Sequence, residues 1–188
     1  MKKIIAVYSV PVWLLAMIMV WLSCSKPDKD EEFGGAAAGP EGIHISIDGR
    51  PSKTYKGMAT AMDETGQFSI GSLRLSQDIP QIVFLLPRKP GRKADGVYPW
   101  AMEETESKQV TFEYAEPDLQ KMYVSVYEDG SAVRDSKGTV SVQEFEQGGK
   151  KYVAGEFAVE QAGVVETATG SHIGVVKIKG SYKVQRNW

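Results

Sequence analysis

The chain has 188 residues, of which 22 are basic and 24 acidic, so its formal net charge is −2. This balance argues against a nucleic-acid-binding protein, which concentrates a surplus of basic residues on one face. Cys24 is the only cysteine, so no disulfide can form within the chain and the stability of the fold has to come from packing.

The first element in chain order is an apolar segment that ends at Cys24. Lys2 and Lys3 are followed by residues 4–22, which carry no charge, and Ser23 stands directly before the cysteine. Two lysines, an apolar run and a small residue before a cleavage site are typical of a bacterial export signal, which is removed from the mature protein. A transmembrane anchor is the alternative, because a run of this length could just span a bilayer. We favour the export signal.

The Leu22-Ser23-Cys24 ending resembles the lipobox of bacterial lipoproteins, whose signal peptidase cleaves before a cysteine that then carries lipid. The resemblance implies that residues 1–23 are a signal peptide and that Cys24 is the lipidation site. Two or three acyl chains on one residue hold a protein firmly to a membrane. Loss of Lys2 and Lys3 would leave 20 basic and 24 acidic residues, a net charge of −4.

Residues 24–42 are predicted to be a flexible tether, acidic at first and then rich in glycine and alanine. The acidic part, residues 28–32, resembles the signal that sends certain Gram-negative lipoproteins to the outer face of the outer membrane. The resemblance implies display on the cell surface, with the membrane as a partner through the lipid anchor. The alternatives are a periplasm-facing anchor and an acidic linker that is merely solvated.

Residues 43–188 are predicted to form a single all-β domain. Ile43, Ile45 and Ile47 alternate with polar residues, and the same period of two recurs through the domain. Residues 55–62 and 68–75 flank a turn that predicts a hairpin, and residues 81–86 predict a central strand because both faces are apolar. About nine short strands indicate an antiparallel β-sandwich or flattened β-barrel.

The order of two segments, GTVSVQEF (residues 138–145) and YVAGEFAV (residues 152–159), followed by a closing strand, resembles a loose group of uncharacterised β-rich domains in surface lipoproteins. The resemblance covers the last part of the chain and implies an all-β fold and no activity. In the closing strand, alternation turns Lys177, Lys179 and Lys183 towards solvent, as a basic surface or as protection of a sheet edge. Gly180 predicts a bend or a close packing contact there.

Catalysis has little support in the sequence. His44 and His172 have no ligand spacing that suits a metal, and Ser171 lies in no G-x-S-x-G context. Three carboxylates after Trp100, at Glu103, Glu104 and Glu106, could serve glycoside hydrolysis but are typical of a solvated loop. We therefore expect no enzyme, no metal and no cofactor, and a glycan-acting hydrolase is the least favoured alternative.

The loop PRKPGRKADGVYPW, residues 87–100, is the candidate binding region. Aromatic and cationic side chains on a loop stiffened by proline are common in binding sites, and the candidates are Trp100, Tyr98, Arg88, Arg92 and Lys93. The cations suit an acidic polysaccharide or a lipid phosphate, and a sugar ring could stack on Trp100. For these residues we favour the simpler interpretation, a charged hairpin loop beside a core tryptophan, because Tyr and Trp are commonly buried with their polar groups satisfied. The sequence thus predicts a non-catalytic module that binds a glycan or an envelope protein, or else a structural envelope component without a small ligand.

Overall fold

The described part of the domain is built from β-strands. The computed structural model describes residues 37–62, 66–72, 81–102 and 109–188. The predicted signal peptide, Cys24 and Glu103, Glu104 and Glu106 lie outside the described residues, as does most of the predicted tether. The strands are β1 (Gly42–Ile47), β2 (Lys53–Tyr55), β3 (Met58–Met62), β4 (Gln67–Ser72), β5 (Gln81–Pro87), β6 (Gly96–Pro99), β7 (Thr111–Ala115), β8 (Lys121–Val124), β9 (Val126–Asp129), β10 (Ala132–Asp135), β11 (Gly138–Gln147), β12 (Lys150–Glu166) and β13 (His172–Arg186).

Eleven strands form one sheet, in the order β2-β1-β13-β3-β4-β5-β7-β8-β12-β11-β6. Because β12 also pairs with β13, the sheet folds back on itself into two layers. One layer is β2-β1-β13-β12-β11-β6 and the other is β3-β4-β5-β7-β8, while β9 and β10 form a separate hairpin. This arrangement confirms the predicted β-sandwich or flattened barrel. The pairing is antiparallel except between β13 and β3.

The number of strands differs from the prediction of about nine, since the structure describes thirteen. Short strands on the surface were missed because they lack apolar alternation; all four residues of β10, for example, are exposed. The predicted strand at residues 55–62 is instead the end of β2 and the whole of β3, separated at Gly57, where a Cβ would lie 2.6 Å from Ile43 Cδ1. The β3–β4 hairpin is confirmed, with Met62 opposite Gln67.

The core lies between the two layers and is rich in aromatic rings. Phe84 of β5 lies 4.9 Å from Phe157 of β12 and 5.6 Å from Tyr182 of β13, measured between ring centroids. Gly180 of β13 is needed for this packing, because a Cβ there would approach His44 O to 2.0 Å and the Phe157 ring to 2.4 Å. The predicted close contact at Gly180 is therefore confirmed.

Two opposite ends of the strands can be distinguished. The described chain begins at one end of the strands, which we call the root end. There β1 starts at Gly42, opposite Lys183, and β4 starts at Gln67, opposite Pro87. We call the far end the opposite one, where residues 167–171 connect β12 to β13. The loop between β5 and β6 lies at the root end because β5 ends there.

Lys183 is not part of a solvent-facing basic surface, contrary to the prediction. It is 7% exposed, and its Nζ donates a hydrogen bond to Gln147 Oε1 at 2.9 Å. The Nζ also lies 5.7 Å from the Phe145 ring centroid and 5.5 Å from that of Tyr152. These two stacked rings cover the lysine stem, which alternation alone could not indicate.

Candidate binding surface

The loop at residues 88–95 is attached to the edge of β11 by hydrogen bonds to and from Glu144. The Ala94 N–H donates to Glu144 Oε1 at 2.7 Å, and the Glu144 N–H donates to Asp95 Oδ1 at 2.6 Å. Lys93 Nζ donates to the Glu144 carbonyl oxygen at 3.2 Å. These bonds occupy a part of the β11 edge that β6 does not pair with, so the loop both covers the edge and is held in place by it.

Glu144 is also one half of a buried ion pair. Its Oε2 lies 2.9 Å from Arg186 Nη1, and the two side chains are 3% and 11% exposed respectively. Burial of a carboxylate is tolerated when charge and hydrogen bonds compensate it, as Arg186 and the Ala94 N–H do here. The sequence carried a signal for this site, because Glu144 continues the inward alternation of Val140 and Val142. A charged residue at such a position needs a buried partner.

Two guanidinium groups lie close to the Trp188 ring at the root end. The Cζ atoms of Arg88 and Arg186 are 5.0 and 5.4 Å from its ring centroid, within the range of cation–π attraction. The Phe68 ring lies 5.4 Å from the same ring. Arg88, a predicted ligand-binding residue, is thus half-buried and contributes to packing at this end.

Trp100 is a core residue and offers no exposed ring to a sugar. It is 3% exposed, its Nε1–H donates to the Ala158 carbonyl oxygen at 2.8 Å, and its ring lies 6.2 Å from that of Phe112. Gly138 leaves room for this bond, because a Cβ there would lie 2.1 Å from the same carbonyl oxygen. Burial removes Trp100 from the candidate site and leaves the glycan interpretation without a stacking platform at this position.

Tyr98 is half-buried, and its hydroxyl donates to the Ala94 carbonyl oxygen at 2.6 Å. Burial raises the pKa of this phenol, and the negative charges of Asp95 and Glu144 raise it further. The hydroxyl therefore remains protonated over the physiological range and fastens the base of the loop.

The outward side of the loop keeps its cations accessible. Lys89, Arg92 and Lys93 are exposed, on a backbone stiffened by Pro90 and turned at Gly91, whose φ is 72°. The Arg92 N–H donates to the Lys89 carbonyl oxygen at 3.1 Å, which closes the turn. The predicted site residues therefore separate: Arg88, Tyr98 and Trp100 pack inward, and Arg92 faces solvent beside Lys89. Lys93 is exposed, but its Nζ bonds the Glu144 carbonyl oxygen.

The chain enters the domain close to this loop. The Tyr152 hydroxyl donates to Glu41 Oε1 at 2.6 Å, and Tyr152 stacks on Phe145, the residue after Glu144. The cationic loop and the entry point of the chain therefore both lie at the root end.

The two histidines lie at different places along the sheet. His44 lies opposite Ser181 in the sheet, and its Nδ1 is 2.9 Å from Thr54 Oγ1. His172 begins β13, about 30 Å away at 3.3 Å per residue, and lies against Gly163. Within the described parts of the chain no three His, Cys, Asp or Glu residues are grouped as metal ligands.

No protein-family model, curated protein or solved structure matches the chain. In the described residues no helix is long and apolar enough to cross a membrane.

Proposed function

We propose that the protein is a lipoprotein of the cell envelope, anchored through Cys24, whose β-domain is a non-catalytic module that binds an anionic partner at its cationic loop. The observation that carries the proposal is the division of the loop at residues 88–95. Its inner side is fixed by Glu144 and Asp95, while Lys89, Arg92 and Lys93 remain exposed. A cationic surface that is held rigid loses little entropy on binding.

The chemistry of the loop suits carboxylate or phosphate groups. Arginine forms paired hydrogen bonds with such groups, and lysine adds point charges. An acidic polysaccharide of the envelope and a lipid headgroup both present this chemistry. The burial of Trp100 favours recognition by charge over stacking on a neutral sugar.

The binding test compares the unmodified chain with Lys89→Ala/Arg92→Ala in neutral detergent. Polygalacturonate serves as the carboxylate probe and a soluble short-chain phosphatidylglycerol as the lipid-phosphate probe. At about 1 kcal/mol for each basic residue near an anionic surface, the double variant is expected to bind roughly 10- to 30-fold more weakly. Binding should also weaken as salt is added.

The matched control is Lys121→Ala/Lys179→Ala, which removes the same charge from exposed positions on other strands. We expect the control to keep most of the affinity. An equal loss in both double variants would mean that net charge, and not the loop, governs binding. Absence of binding to either probe would favour the alternative of a structural envelope component.

The anchor is tested separately. Cys24→Ala should abolish incorporation of labelled fatty acid and release the protein from membranes, because no thiol remains for lipid attachment. Labelling that persists in this variant would contradict the anchor.

A further inference from the structure

The inference concerns where the predicted tether joins the domain relative to the cations of the root end. The described chain enters the domain at this end, where the Tyr152 hydroxyl donates a hydrogen bond to Glu41 Oε1 at 2.6 Å and β1 begins at Gly42. The loop at residues 88–95 lies at the same end, because β5 ends there. The segment that leads back to Cys24 therefore leaves the domain beside the cationic loop.

Further exposed cations lie at the root end beside those of the loop. The β11–β12 hairpin turns there, since β12 starts at Lys150 opposite Gln147, and both Lys150 and Lys151 are exposed. The strand β2 also ends there, one residue before the exposed Lys56. The exposed cations of this end are thus Lys56, Lys89, Arg92, Lys93, Lys150 and Lys151.

These cations outnumber the carboxylates around them and are spread in a row. Among the described residues of the root end the exposed carboxylates are Glu41, Asp95 and Glu146, three against six cations. Lys56 follows β2, and the loop at residues 88–95 covers the edge of β11, four strands away in the layer β2-β1-β13-β12-β11. At about 4.8 Å per strand the row is about 20 Å wide, which suits a surface of many separate anionic groups.

The far end carries a different set of charges. Residues 167–171 have no Asp, Glu, Lys or Arg, and Lys121 lies opposite Glu166. The β9–β10 hairpin exposes Glu128 and Asp129 next to this end. An anionic surface is therefore attracted more strongly by the root end than by the far end, and this difference orients the domain.

The length of the tether keeps the root end, and not the far end, near the lipid. Residues 25–41 join Cys24 to Gly42, and a flexible chain of 17 residues has a root-mean-square span of about 20–25 Å. The strand β12 runs from Lys150 at the root end to Glu166 at the far end, about 50 Å at 3.3 Å per residue. The far end is thus separated from the anchor by the tether and by the whole length of the domain.

We infer that the root end lies against the membrane that holds the lipid of Cys24, with its exposed cations on the phosphate groups of anionic lipids in that membrane. The inference rests on the proposed anchor and cationic loop, and it names lipid phosphate as the partner of that loop. The tether holds the cations near the surface, so weak individual contacts form at a high effective concentration. Attraction to a charged surface fades within about 8 Å in physiological salt, so the cations have to lie close to the headgroups.

The test measures which end of the domain touches the membrane. Gly91 in the loop and Gly170 in the far-end connection are matched positions, with φ of 72° and 71° and no atom outside their chain neighbours within 4 Å of an added Cβ. Gly91→Cys and Gly170→Cys are made separately in the full lipidated chain and labelled with bimane. Because lipid blocks the thiol of Cys24, the introduced cysteine is the only one that takes the label.

The labelled chains are placed in vesicles of phosphatidylcholine alone or of phosphatidylcholine with phosphatidylglycerol. Each vesicle is prepared with and without a lipid that carries a nitroxide on its headgroup and quenches bimane at short range. On the anionic vesicles we expect roughly threefold more quenching at Gly91→Cys than at Gly170→Cys, because surface attraction acts only near the headgroups. The difference should shrink on neutral vesicles and as salt is added.

Charge variants identify the cations responsible. Lys89→Ala/Arg92→Ala, added to Gly91→Cys, should lower the quenching on anionic vesicles towards the value on neutral vesicles. The matched control Lys121→Ala/Lys179→Ala should leave it unchanged, since neither lysine is at the root end. An unchanged urea unfolding midpoint shows that each variant is folded.

The inference is overturned if the two labels are quenched equally on anionic vesicles, or if neutral vesicles quench Gly91→Cys as strongly. Lipid on Cys24 and binding of soluble phosphatidylglycerol would then leave the proposed function standing alone. Equal quenching, with Gly91→Cys shielded from acrylamide in detergent, would show that the acidic residues 28–32 of the tether cover the loop instead. Bimane uptake by the unmodified chain would reveal a free Cys24 thiol and overturn the anchor and the inference together.

Discussion

The two ends of this β-domain differ in how their sheet edges are covered and in how much charge they carry. At the root end, the β11 edge is covered by a loop that Glu144 and Asp95 fasten with short hydrogen bonds, and the ion pair with Arg186 lies buried beneath it. At the far end, residues 167–176 carry no charge, and one edge of β13 has no partner in the described strands. The root end thus presents a rigid cationic surface, whereas the far end presents backbone and aliphatic side chains.

Charge has two separate uses at the root end. The acidic residues of the root end are structural, because Glu144 and Asp95 hold the loop to the sheet. Lys89 and Arg92 are exposed, as the proposed anionic partner requires. The inner and outer sides of the loop at residues 88–95 should therefore respond differently to mutation. Changes beneath the loop at residues 88–95 should affect stability, and changes on its exposed surface should affect binding.

The largest effect is expected from Glu144→Ala. The substitution leaves Arg186 buried without its counter-charge and the Ala94 N–H without its acceptor, so the free energy of unfolding should fall by about 3–5 kcal/mol. Urea unfolding measures this. Glu146→Ala, at an exposed position two residues along β11, is the control and should change stability by less than about 0.5 kcal/mol. Equal effects of the two variants would show that the buried ion pair does not stabilise the fold.

Trp100→Phe should have an intermediate effect. It removes the hydrogen bond from the Trp100 N–H to the Ala158 carbonyl oxygen and shortens a buried side chain, at a cost of about 1–3 kcal/mol. Thermal or urea unfolding gives the value, with Met102→Leu at an exposed neighbouring position as the control. Because Trp100 lies in the core, we expect the folded variant to bind polygalacturonate as the unmodified chain does. Loss of binding without loss of stability would show instead that Trp100 contributes to the binding site.

The raised pKa of Tyr98 predicts a loss of stability at alkaline pH. The folded state holds the phenolic proton more tightly than the unfolded chain, whose tyrosines titrate near pH 10, so this contribution is fully present below pH 10 and is lost as pH rises through 10 towards the folded pKa. One tyrosine contributes at most about 1.4 kcal/mol per pH unit to the slope. Urea unfolding between about pH 9 and 11 should show a shallower decline for Tyr98→Phe. Identical slopes would show that Tyr98 does not contribute.

The smallest effect on stability is expected at the far end. Val175→Lys replaces an exposed side chain, so the free energy of unfolding measured in urea should change by no more than about 0.5 kcal/mol. A large destabilisation by Val175→Lys would mean that this part of β13 packs within the monomer and that the contrast between the two ends is incorrect.

Much of the fold follows from local patterns. Alternation at Ile43, Ile45 and Ile47, the apolar segment at residues 81–86 and the turn before Gly66 predicted strands and a hairpin that the structure contains. The same rule applied to β11 would have placed Glu144 inward. The position of Lys183 could not be found in this way, because its burial depends on Phe145 and Tyr152, which belong to other strands.

The sequence by itself determined that the domain is all-β, because a period of two recurs over most of its length and side chains alternate between the two faces of a strand. Only the tertiary structure decided that Trp100 is buried, that Arg88 packs on Trp188 and that the edge of β13 is left open at the far end. These properties depend on pairings between residues distant in sequence. Local alternation predicts that a residue lies in a strand, but the neighbours that cover it come from elsewhere in the chain.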